Sequence, residues 1–503
     1  MSLQAELQAP NGLKITLPTG LFINNEFVAS SSGQKITSIS PICRSDEKEI
    51  ASVEAASKED VDTAVKAARE AFKCDEWSRI SATDRGALMF KFAELIEENK
   101  VTLATLETWD NGKPYNVSLE EDLSEVIGTL KYYAGWADKI YGQTISTTPE
   151  KFAYTIKQPI GVCGQIIPWN YPLAMAAWKL GPALACGNTV VLKAAEQTPL
   201  SILYLATLIP KAGFPPGVIN IINGYGREAG AALVSHPDVD KVAFTGSTET
   251  GRAVMKAASA SLKNITLETG GKSPLLVFKD ADLDQAVKWG HIGIMSNQGQ
   301  ICTATSRILV QKDIYDEYIS RFQQMISKHK VGNPFDDDTF QGPQITQAQY
   351  ERVIGYVSAG KSDGAKLITG GRAYKDIGEG KGFFIEPTVF SDVTEDMRIF
   401  QEEVFGPFVS ITPFTTETEA VRLANSTVYG LGSAVFTRDL ERAHRVAGML
   451  ESGMVWVNSS NDADFRVPFG GVKQSGIGRE LGEAGLATYS QTKAIHVNMG
   501  LTL

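Results

Sequence analysis

Three side chains in this sequence have types and settings suited to covalent chemistry at a carbonyl carbon. Glu268 ends the alternating run NITLE before a Thr-Gly-Gly turn, Cys302 lies in the segment NQGQICTATS, and Asn170 stands at the tip of IIPWNYPL. Cysteine is the strongest side-chain nucleophile near neutral pH, and a separate carboxylate can later deprotonate a water molecule. An amide can donate to a developing alkoxide, a contact worth about 3 kcal/mol in the transition state. Together the three residues predict a thiol nucleophile with its own base and oxyanion donor.

The same residue types also have ordinary structural uses. An isolated Asn is normally a turn residue, and an isolated Cys is most often a small buried hydrophobe. The histidines stand in no comparable motif, which weakens a Cys-His protease interpretation or one as a phosphorylating triose dehydrogenase. These histidines are His236, His291, His329, His444 and His496.

Alternating strands and helices must position these residues. From Ile160 onward, short β-rich runs alternate with helical stretches, which predicts a doubly wound α/β domain with a mostly parallel sheet. A second alternating series begins at Pro274 and predicts a similar domain facing the first. The sequence LDQAVKWGHIGIMSNQG predicts a helix that stops at Gly299 before the thiol. Upstream, a capping box at Ser57 and the helical spacing of DRGALMFKFAELIEENKVTLATLETW predict helices that cover a sheet.

Parallel sheets bind ligands beyond the carboxyl ends of their strands, and three loops there are candidates. GSTETG at Gly246 follows the run KVAF and opens a helix whose amides can hold a pyrophosphate, although Arg252 rules out a Walker A loop. GYGREAG at Gly224 is one residue too long for the usual dinucleotide fingerprint. Lys193 and Glu196 can bind the hydroxyls of an adenosine ribose. Taken alone, the two glycine-rich loops are more typical of structural turns, and Lys193 with Glu196 is equally open to interpretation as a solvated ion pair.

Composition limits the class of partner. The chain has 503 residues, is 43% hydrophobic and 21% charged, and carries a net charge of -10 with acids and bases interspersed. This pattern predicts neither a nucleic-acid surface nor an anionic-membrane patch, so a small-molecule partner is favoured. No apolar stretch approaches the roughly 20 residues that span a bilayer. The N-terminus shows no signal peptide or mitochondrial presequence, so we expect a cytoplasmic protein.

The cysteines predict neither a disulfide framework nor a zinc site. They are odd in number and contain no C-x-x-C pair, so no bound metal is expected. They are Cys43, Cys74, Cys163, Cys186 and Cys302.

At these motifs the sequence resembles the aldehyde dehydrogenase superfamily, in its broad-specificity NAD-dependent branch. The motifs that carry the resemblance, in the family's order and spacing, are PWNYPL, KAAEQTPL, FTGSTETG, LETGGKSP, GQICTA, EEVFGP and PFGGVKQSGIGRELG. The resemblance implies two Rossmann-like parallel-sheet domains and a small β oligomerisation element. It implies an NAD-binding domain at 1–140 and 160–271, a catalytic domain at 272–474, and oligomerisation strands at 141–159 and 487–503.

The family's chemistry carries over onto the three residues named first. The resemblance implies that Cys302 forms a thiohemiacetal whose oxyanion is held by the Asn170 amide and the Cys302 N–H. Loss of a hydride to NAD leaves a thioester, which a water activated by Glu268 hydrolyses to the carboxylic acid. Lys179 and Glu480 resemble a proton-exit relay behind that base.

The resemblance also implies ligand contacts. Lys193 and Glu196 resemble an adenosine-ribose clamp, Glu403 and Phe405 hold the nicotinamide ribose and ring, and Gln349 assists on a ribose. The implied cofactor residues are Ile166, Pro168, Trp169, Asn170, Lys193, Glu196, Gly226, Gly230, Phe244, Gly246, Ser247, Thr250, Thr269, Gly270, Gln349, Glu403 and Phe405. The implied substrate residues are Tyr171, Met175, Trp178, Ile301, Thr303, Ala463 and Phe469.

Departures from the family pattern qualify these expectations. Thr269 replaces a leucine common after the base, and its hydroxyl could alter polarity near the nicotinamide amide. Arg227 brings positive charge near the adenosine end and leaves room for some use of NADP, but Glu196 disfavours a 2′-phosphate, so NAD is preferred. Aromatic walls suit apolar or aromatic aldehydes, and small Ala463 suggests a wide mouth unless its loop is simply divergent surface.

Three functions remain to be compared. The first is oxidation of an aliphatic or aromatic aldehyde by a cytoplasmic homo-oligomer, a tetramer built from dimers. The second is a CoA-acylating semialdehyde dehydrogenase, which would not need the carboxylate of Glu268. The third is a catalytically silent structural protein on the same scaffold, which retention of Cys302, Glu268 and Asn170 argues against.

Overall fold

The architecture comes from a computed structural model that describes residues 3–42, 49–377 and 382–503. Cys43 lies outside the described residues. The strands are β1 (Gln4–Gln8), β2 (Lys14–Pro18), β3 (Leu21–Ile23), β4 (Glu26–Val28), β5 (Lys35–Ile39), β6 (Glu49–Glu54), β7 (Thr144–Ile145), β8 (Lys151–Pro159), β9 (Val162–Ile166), β10 (Thr189–Lys193), β11 (Ile219–Ile222), β12 (Lys241–Thr245), β13 (Asn264–Glu268), β14 (Pro274–Val277), β15 (Arg307–Gln311), β16 (Lys366–Thr369), β17 (Thr388–Ser391), β18 (Phe408–Phe414), β19 (Gly432–Phe436), β20 (Met454–Val457), β21 (Gly476–Ile477) and β22 (Ser490–Asn498).

Helices surround these strands. The α-helices are α1 (Lys58–Lys73), α2 (Asp75–Ser78), α3 (Ala82–Glu98), α4 (Lys100–Asn111), α5 (Tyr115–Val117), α6 (Leu123–Trp136), α7 (Pro172–Ala185), α8 (Leu200–Ala206), α9 (Ile209–Ala212), α10 (Ala231–Ser235), α11 (Thr248–Ala258), α12 (Leu283–Met295), α13 (Tyr315–Ile326), α14 (Gln347–Ser362), α15 (Arg398–Gln401), α16 (Glu417–Asn425), α17 (Leu440–Met449) and α18 (Gly482–Thr488). Over the described ranges, no helix is long and apolar enough to cross a membrane.

The first large sheet supports the predicted nucleotide-binding half. Its order, within the described residues, is β21-β13-β12-β9-β10-β11-β3-β4, and the five central strands are parallel. These strands are buried along most of their length, which explains their continuous apolar sequences. The chain runs outward from β9 through β10 and β11, then returns to β12 on the other side of β9. This reversal opens a crevice at the carboxyl ends of β9 and β12.

The second large sheet begins where the first one ends. Its order is β16-β17-β18-β15-β14-β19-β20 over the part of the chain that is described, and its pairs are parallel except β16–β17. The chain passes from Glu268, the last residue of β13, to Pro274, the first of β14. The amino ends of β14 and β15 therefore lie near the carboxyl end of the first sheet. The predicted class, α/β with two parallel-sheet domains, is confirmed.

A third sheet joins the two segments predicted to be oligomerisation strands. β22 pairs antiparallel with β8 from Ser490 opposite Pro159 to Asn498 opposite Lys151, and β7 pairs with the other edge of β8. β22 is largely exposed, whereas most residues of β8 are half-buried. The two segments thus pair with each other within one chain. Their contact with another subunit, like the domain division at 140, 160, 271, 474 and 487, stays a prediction.

Two helix predictions can be compared directly with the structure. The capping box at Ser57 is confirmed, because its hydroxyl accepts from the Asp60 N–H at 3.2 Å and its own N–H donates to the Asp60 carboxylate at 2.9 Å. The helical spacing of the run beginning DRGALMF is confirmed, and the structure places two helices there, α3 and α4. The run divides at Asn99 (φ -108°, ψ 11°), whose side-chain amide donates to the Leu95 carbonyl at 2.7 Å. That side chain competes with the backbone for helix hydrogen bonds.

Candidate active site

A cavity of about 770 Å³ brings most of the predicted site residues together. The predicted residues that line it are Pro168, Trp169, Asn170, Tyr171, Met175, Trp178, Gly246, Ser247, Glu268, Thr269, Gly270, Ile301, Cys302, Thr303, Gln349, Glu403, Phe405, Ala463, Phe469 and Glu480. The predicted residues outside its lining are Ile166, Lys179, Lys193, Glu196, Gly226, Gly230, Phe244 and Thr250. The three residues proposed to do the chemistry therefore share one space.

Cys302 lies in a turn between α12 and β15. The predicted helix end at Gly299 was wrong, because α12 ends at Met295 and the backbone then takes left-handed conformations at Asn297 (φ 46°) and Gln298 (φ 58°). Gly299 has a φ of 69°, and an added Cβ would lie 1.9 Å from the Gly406 carbonyl oxygen. Only glycine fits this close approach. The resulting sharp turn directs the half-buried Cys302 into the cavity.

The environment of the thiol favours its protonated form. Burial raises the pKa of Cys302 to about 12, and the charges of Glu268 and Glu403 act in the same direction. The backbone N–H groups of Thr303 and Cys302 oppose this shift because they donate toward the sulfur. The resting site therefore holds a thiol with two backbone donors beside it.

Asn170 is held next to the Cys302 turn. Its side chain is buried, and its amide nitrogen donates to the Gln300 carbonyl at 2.9 Å. A primary amide has two N–H donors, so a second donor remains for a ligand. Two other amides fix its backbone: Asn297 donates to the Asn170 carbonyl at 3.1 Å, and Asn111 donates to the Trp169 carbonyl at 2.6 Å. Neither supporting amide was predicted.

Glu268 is buried at the end of β13 with its carboxylate against the cavity. Neither oxygen makes a hydrogen bond of ordinary geometry with the described residues, although the Gly471 N–H is near enough to favour the charged form. Burial raises the pKa of Glu268 well above its usual range, and the charge of Glu480 raises it further. A carboxyl group with a raised pKa and unused oxygens can accept a proton from water.

The predicted relay forms a buried polar chain behind Glu268. The Lys179 ammonium, carried by α7, donates to a Glu480 carboxylate oxygen and to the Thr245 hydroxyl, each at 2.6 Å. Both charged side chains are buried. Thr245 is the last residue of β12, next to the cavity. These contacts join α7, β12 and the segment before α18 directly behind the candidate base.

The crevice between β9 and β12 carries the predicted pyrophosphate loop. Ser247 caps α11, since its hydroxyl accepts from the Thr250 N–H at 3.1 Å. An added Cβ at Gly246 would lie 2.5 Å from the Phe244 ring, so the loop packs closely over that ring. Further along the sheet edge, Lys193 donates to Glu196 at 3.2 Å. The helix N-terminus and this ion pair lie where a dinucleotide would be held.

A second group of contacts fixes the other predicted cofactor residues. A Glu403 oxygen accepts from the Gly271 N–H at 2.9 Å, and burial raises the pKa of Glu403 to about 7. Phe405 has a φ of 62° and meets the Trp169 ring edge-on at 5.4 Å. The Gln349 amide donates to the Phe405 carbonyl at 2.7 Å, so its nitrogen supports this loop.

The hydroxyl of Thr269 is directed at a backbone group. It donates to the Gln474 carbonyl at 2.7 Å, while an added Cβ at Gly251 would lie 2.7 Å from the Thr269 methyl carbon. The expected effect of this hydroxyl on the nicotinamide amide therefore stays a prediction.

The aromatic side chains predicted to contact the substrate do line the cavity, but acidic side chains line it as well. Trp178 and Phe469 meet edge-on at 4.7 Å, and Ala463 is exposed at the mouth. Acidic residues of the segment before α6 also line the cavity, and Trp178 donates its indole N–H to the Glu125 carboxylate at 2.8 Å.

Sequence reasoning missed these acidic residues, which we call the acidic wall (Glu121, Asp122 and Glu125). It also missed several other residues that line the cavity. The missed residues are Val117, Glu121, Asp122, Ser124, Glu125, Ala174, Thr245, Ile292, Ser296, Asn297, Thr339, Phe340, Arg352, Asn461, Asp464 and Phe465. Most lie in helices or loops without a motif. One weak signal was available for the acidic wall: the run LEEDLSE concentrates carboxylates at a helix start.

Over the described part of the chain, no group of three or more His, Cys, Asp or Glu side chains could hold a metal ion.

The chain is similar in sequence and in fold to known proteins. The model of the aldehyde dehydrogenase family matches residues 27–495. An aldehyde dehydrogenase of Emericella nidulans is 54% identical over 489 residues, 97% of each chain. "Aldehyde dehydrogenase [NAD(P)+] 1" of Saccharomyces cerevisiae is 51% identical and covers 99% of each chain. The structure of an NAD+ complex of aldehyde dehydrogenase from Bacillus cereus superimposes with a TM-score of 0.93 at 46% identity, covering 96% of this chain and 97% of that one. This chain belongs to the aldehyde dehydrogenase family.

Proposed function

We propose that the chain oxidises an aliphatic or aromatic aldehyde to the carboxylic acid with NAD, through a thiohemiacetal and then a thioester on Cys302. The observation that carries the proposal is the shared cavity. In it meet a half-buried thiol, a buried carboxylate that makes no hydrogen bond of ordinary geometry with the described residues, and an amide with a spare donor.

The residues present fit a dinucleotide. The crevice at β9 and β12 is the topological switch point, where α11 begins with a serine cap and Gly246 leaves the backbone accessible. In this proposal the start of α11 holds the pyrophosphate, and Lys193 with Glu196 holds the adenosine ribose. Glu403, Phe405 and Trp169 hold the nicotinamide end. The Bacillus cereus relative, whose structure is an NAD+ complex, supports this choice of cofactor.

The chain's own residues perform the capture of the aldehyde. The Cys302 sulfur adds to the carbonyl carbon as its proton passes to solvent water, and the carbonyl oxygen becomes an oxyanion. The second N–H of the Asn170 amide and the Cys302 backbone N–H donate to that oxyanion. When bound, NAD supplies the acceptor for the hydride that leaves the same carbon.

Hydrolysis of the thioester uses a different residue, Glu268, and takes place after the hydride has left. The Glu268 carboxylate takes a proton from water, and the hydroxide oxygen adds to the thioester carbonyl. The carbon–sulfur bond then breaks, the sulfur takes the proton of the new carboxylic acid group, and the product leaves as the carboxylate. Glu480 and Lys179 lie behind Glu268 and offer a route for the proton toward solvent.

NAD is preferred over NADP in this proposal. The Glu196 carboxylate, about 31% exposed, would face a 2′-phosphate with like charge. The exposed Arg227 carries the opposite charge near the adenosine end and leaves room for some NADP use. Steady-state kinetics with NAD and with NADP test this preference. A higher kcat/KM with NADP than with NAD would contradict this part of the proposal.

The test measures NADH formation from an aldehyde and NAD, with and without CoA, in the wild type and in Cys302→Ser. We expect NADH and free carboxylic acid without CoA. The serine variant should bind NAD, measured by quenching of tryptophan fluorescence, without turnover. NADH formed only with CoA would favour the CoA-acylating alternative, and no NADH under any condition would favour the structural one. Normal turnover by Cys302→Ser would contradict the role of the thiol.

We also propose a cytoplasmic homo-oligomer, a tetramer built from dimers through β8 and β22. The exposure of this β-sheet supports an interface between subunits. Sedimentation of the purified chain tests the assembly, and microscopy of a C-terminally tagged chain in cells tests the compartment. A monomer, or a signal confined to an organelle, would contradict the respective statement.

A further inference from the structure

We propose that Asn111 is a positioning residue for the oxidation proposed above, because it holds the Asn170 amide in place beside the Cys302 turn. The proposal rests on the proposed function, since it takes Asn170 as the donor to the oxyanion. Asn111 is the last residue of α4 and does not line the cavity. It therefore acts only through the residues that it contacts.

The local sequence brings the end of α4 into the protein interior. The helix is buried from Leu103 to Asn111, and it stops where Gly112 takes a left-handed conformation (φ 88°). An added Cβ at Gly112 would lie 2.9 Å from the rings of both Pro41 and Pro343, so only glycine fits between them. The helix therefore ends at a fixed point, with the Asn111 side chain fully buried.

Both polar atoms of the Asn111 side chain make hydrogen bonds. Its nitrogen donates to the Trp169 carbonyl at 2.6 Å and, more weakly, to the Asn170 carbonyl at 3.4 Å. Its oxygen accepts from the Lys113 N–H at 3.2 Å. The two carbonyls belong to the peptide groups on either side of the Asn170 Cα. Their position therefore sets the point from which the Asn170 side chain projects.

A second side chain on the same face of α4 supports the neighbouring segment. Glu107 precedes Asn111 by four residues, so the two side chains project from one side of the helix. The Glu107 carboxylate accepts from the Leu173 N–H at 3.4 Å and from the Ser201 hydroxyl at 2.6 Å. This face of α4 thus contacts the chain both at Asn170 and at the start of α7.

The residue after Asn111 supports the turn of the nucleophile. The Gly112 carbonyl accepts from the Gln298 side-chain amide at 3.2 Å. Gln298 is one of the two left-handed residues in the turn that precedes Cys302. Adjacent residues at one helix end therefore hold both the oxyanion amide and the turn of the thiol.

Direct contacts between these two parts complete a closed network. The Asn170 amide donates to the Gln300 carbonyl at 2.9 Å. The Asn297 amide donates to the carbonyls of Asn170 at 3.1 Å and Gln300 at 3.2 Å. The side chains of Asn111, Asn170 and Asn297 are all buried and neutral. A displacement of about 1 Å in such a network is enough to slow a reaction about 100-fold.

Loss of the Asn111 amide should displace the oxyanion donor more than the cofactor. It removes a donor from the buried network at the Trp169 carbonyl, and the segment should shift toward another partner. The pyrophosphate end of the cofactor site is built on α11 and Ser247, which make none of these contacts. We therefore expect slower hydride transfer with little change in affinity for NAD.

The test measures the first-turnover rate of NADH formation by stopped flow, at saturating NAD and aldehyde. In Asn111→Ala this rate should fall about tenfold to a hundredfold, while the Kd of NAD, from quenching of tryptophan fluorescence, should change less than about threefold. In Asn170→Ala the rate should fall about 100-fold or more, because the oxyanion donor is lost. The double variant should match Asn170→Ala within about threefold, because Asn111 acts through Asn170.

Asn220→Ala is the matched control. Asn220 is fully buried in β11 and does not line the cavity. Like Asn111, its amide nitrogen donates to two backbone carbonyls and its oxygen accepts from a backbone N–H. Its variant should lose stability in urea but keep the wild-type rate of NADH formation.

Asn111→Asp serves where the alanine variant loses its fold, as judged by circular dichroism. It keeps the side-chain volume and the accepting oxygen and removes the N–H donor, so its rate should fall in the same way.

A wild-type rate in a folded Asn111 variant would overturn the positioning role. So would a further fall of more than about threefold when Asn111→Ala is added to Asn170→Ala, because independent sites have additive effects. A wild-type rate in Asn170→Ala would instead contradict the proposed oxyanion donor, and no NADH from the wild type would contradict the proposed function.

Discussion

At the scale of single residues, the candidate site separates the nucleophile from the base. Glu268 ends a strand of the first sheet, Cys302 lies in the turn before β15 of the second sheet, and both line the same cavity. Burial and neighbouring negative charge raise the pKa of both groups. The separation suits a reaction in which the sulfur acts first and the carboxylate second.

Removing the base should stop the reaction between its two stages. In Glu268→Gln we expect one equivalent of NADH per active site, followed by a steady rate at least about 100-fold below the wild type, because general-base catalysis of hydrolysis is lost. Stopped-flow absorbance of NADH, with mass spectrometry of the acylated Cys302, measures both quantities. Steady turnover at the wild-type rate would remove the proposed role of Glu268.

The charge of Glu480 should set the pH dependence of hydrolysis. Glu268 accepts a proton only when ionised, so a raised pKa makes the rate fall as pH decreases through that value. Because the Glu480 charge helps to raise this pKa, Glu480→Gln should shift the fall in deacylation rate to lower pH. Single-turnover deacylation across pH measures the shift, and circular dichroism checks the fold. A shift to higher pH would contradict the assignment.

At the scale of elements, the buried ion pair of Lys179 and Glu480 links α7 to the segment before α18. Lys179→Met should destabilise the chain by about 3 to 5 kcal/mol, because it leaves a buried carboxylate without its cation. The double variant Lys179→Met with Glu480→Leu should recover most of this loss. Urea unfolding followed by fluorescence measures both, and equal stability of the two variants would contradict the explanation.

The sequence predicted strand ends better than it predicted the surroundings of the site. Glu268 ends one short apolar strand and Ser247 comes two residues after another, so the local pattern was sufficient to locate them at a sheet edge. The turn at Asn297 and Gln298 was read as helix, since its left-handed backbone depends on close packing of Gly299 against Gly406. The acidic wall comes from a helix start about 180 residues before Cys302, and only the tertiary fold brings the two together.

At the scale of the whole molecule, the third sheet exposes apolar side chains. Phe152 of β8 and Val497 of β22 are directly opposite in the register and are 43% and 37% exposed. Met499 and Leu501 extend the exposed apolar surface beyond β22. Such a surface is typical of a contact between copies of a chain.

A charge in place of an exposed apolar side chain of this sheet should weaken assembly. We expect Phe152→Glu to reduce the mass measured by light scattering to that of a smaller oligomer or a monomer, since a carboxylate would replace apolar contact. Gln491→Glu, on an exposed position of β22, adds the same charge without removing apolar area and should leave the mass unchanged. An unchanged mass for Phe152→Glu would exclude this face as the interface.

The protonated state of Cys302 also bears on chemical damage. Peroxide and alkylating reagents attack thiolates, and sulfenic acid forms fastest at cysteines that are both ionised and accessible. A thiol whose pKa burial raises to about 12 is protected from such attack between turnovers. A sulfur that stays protonated until an aldehyde binds therefore reacts more slowly with such reagents than a thiolate would.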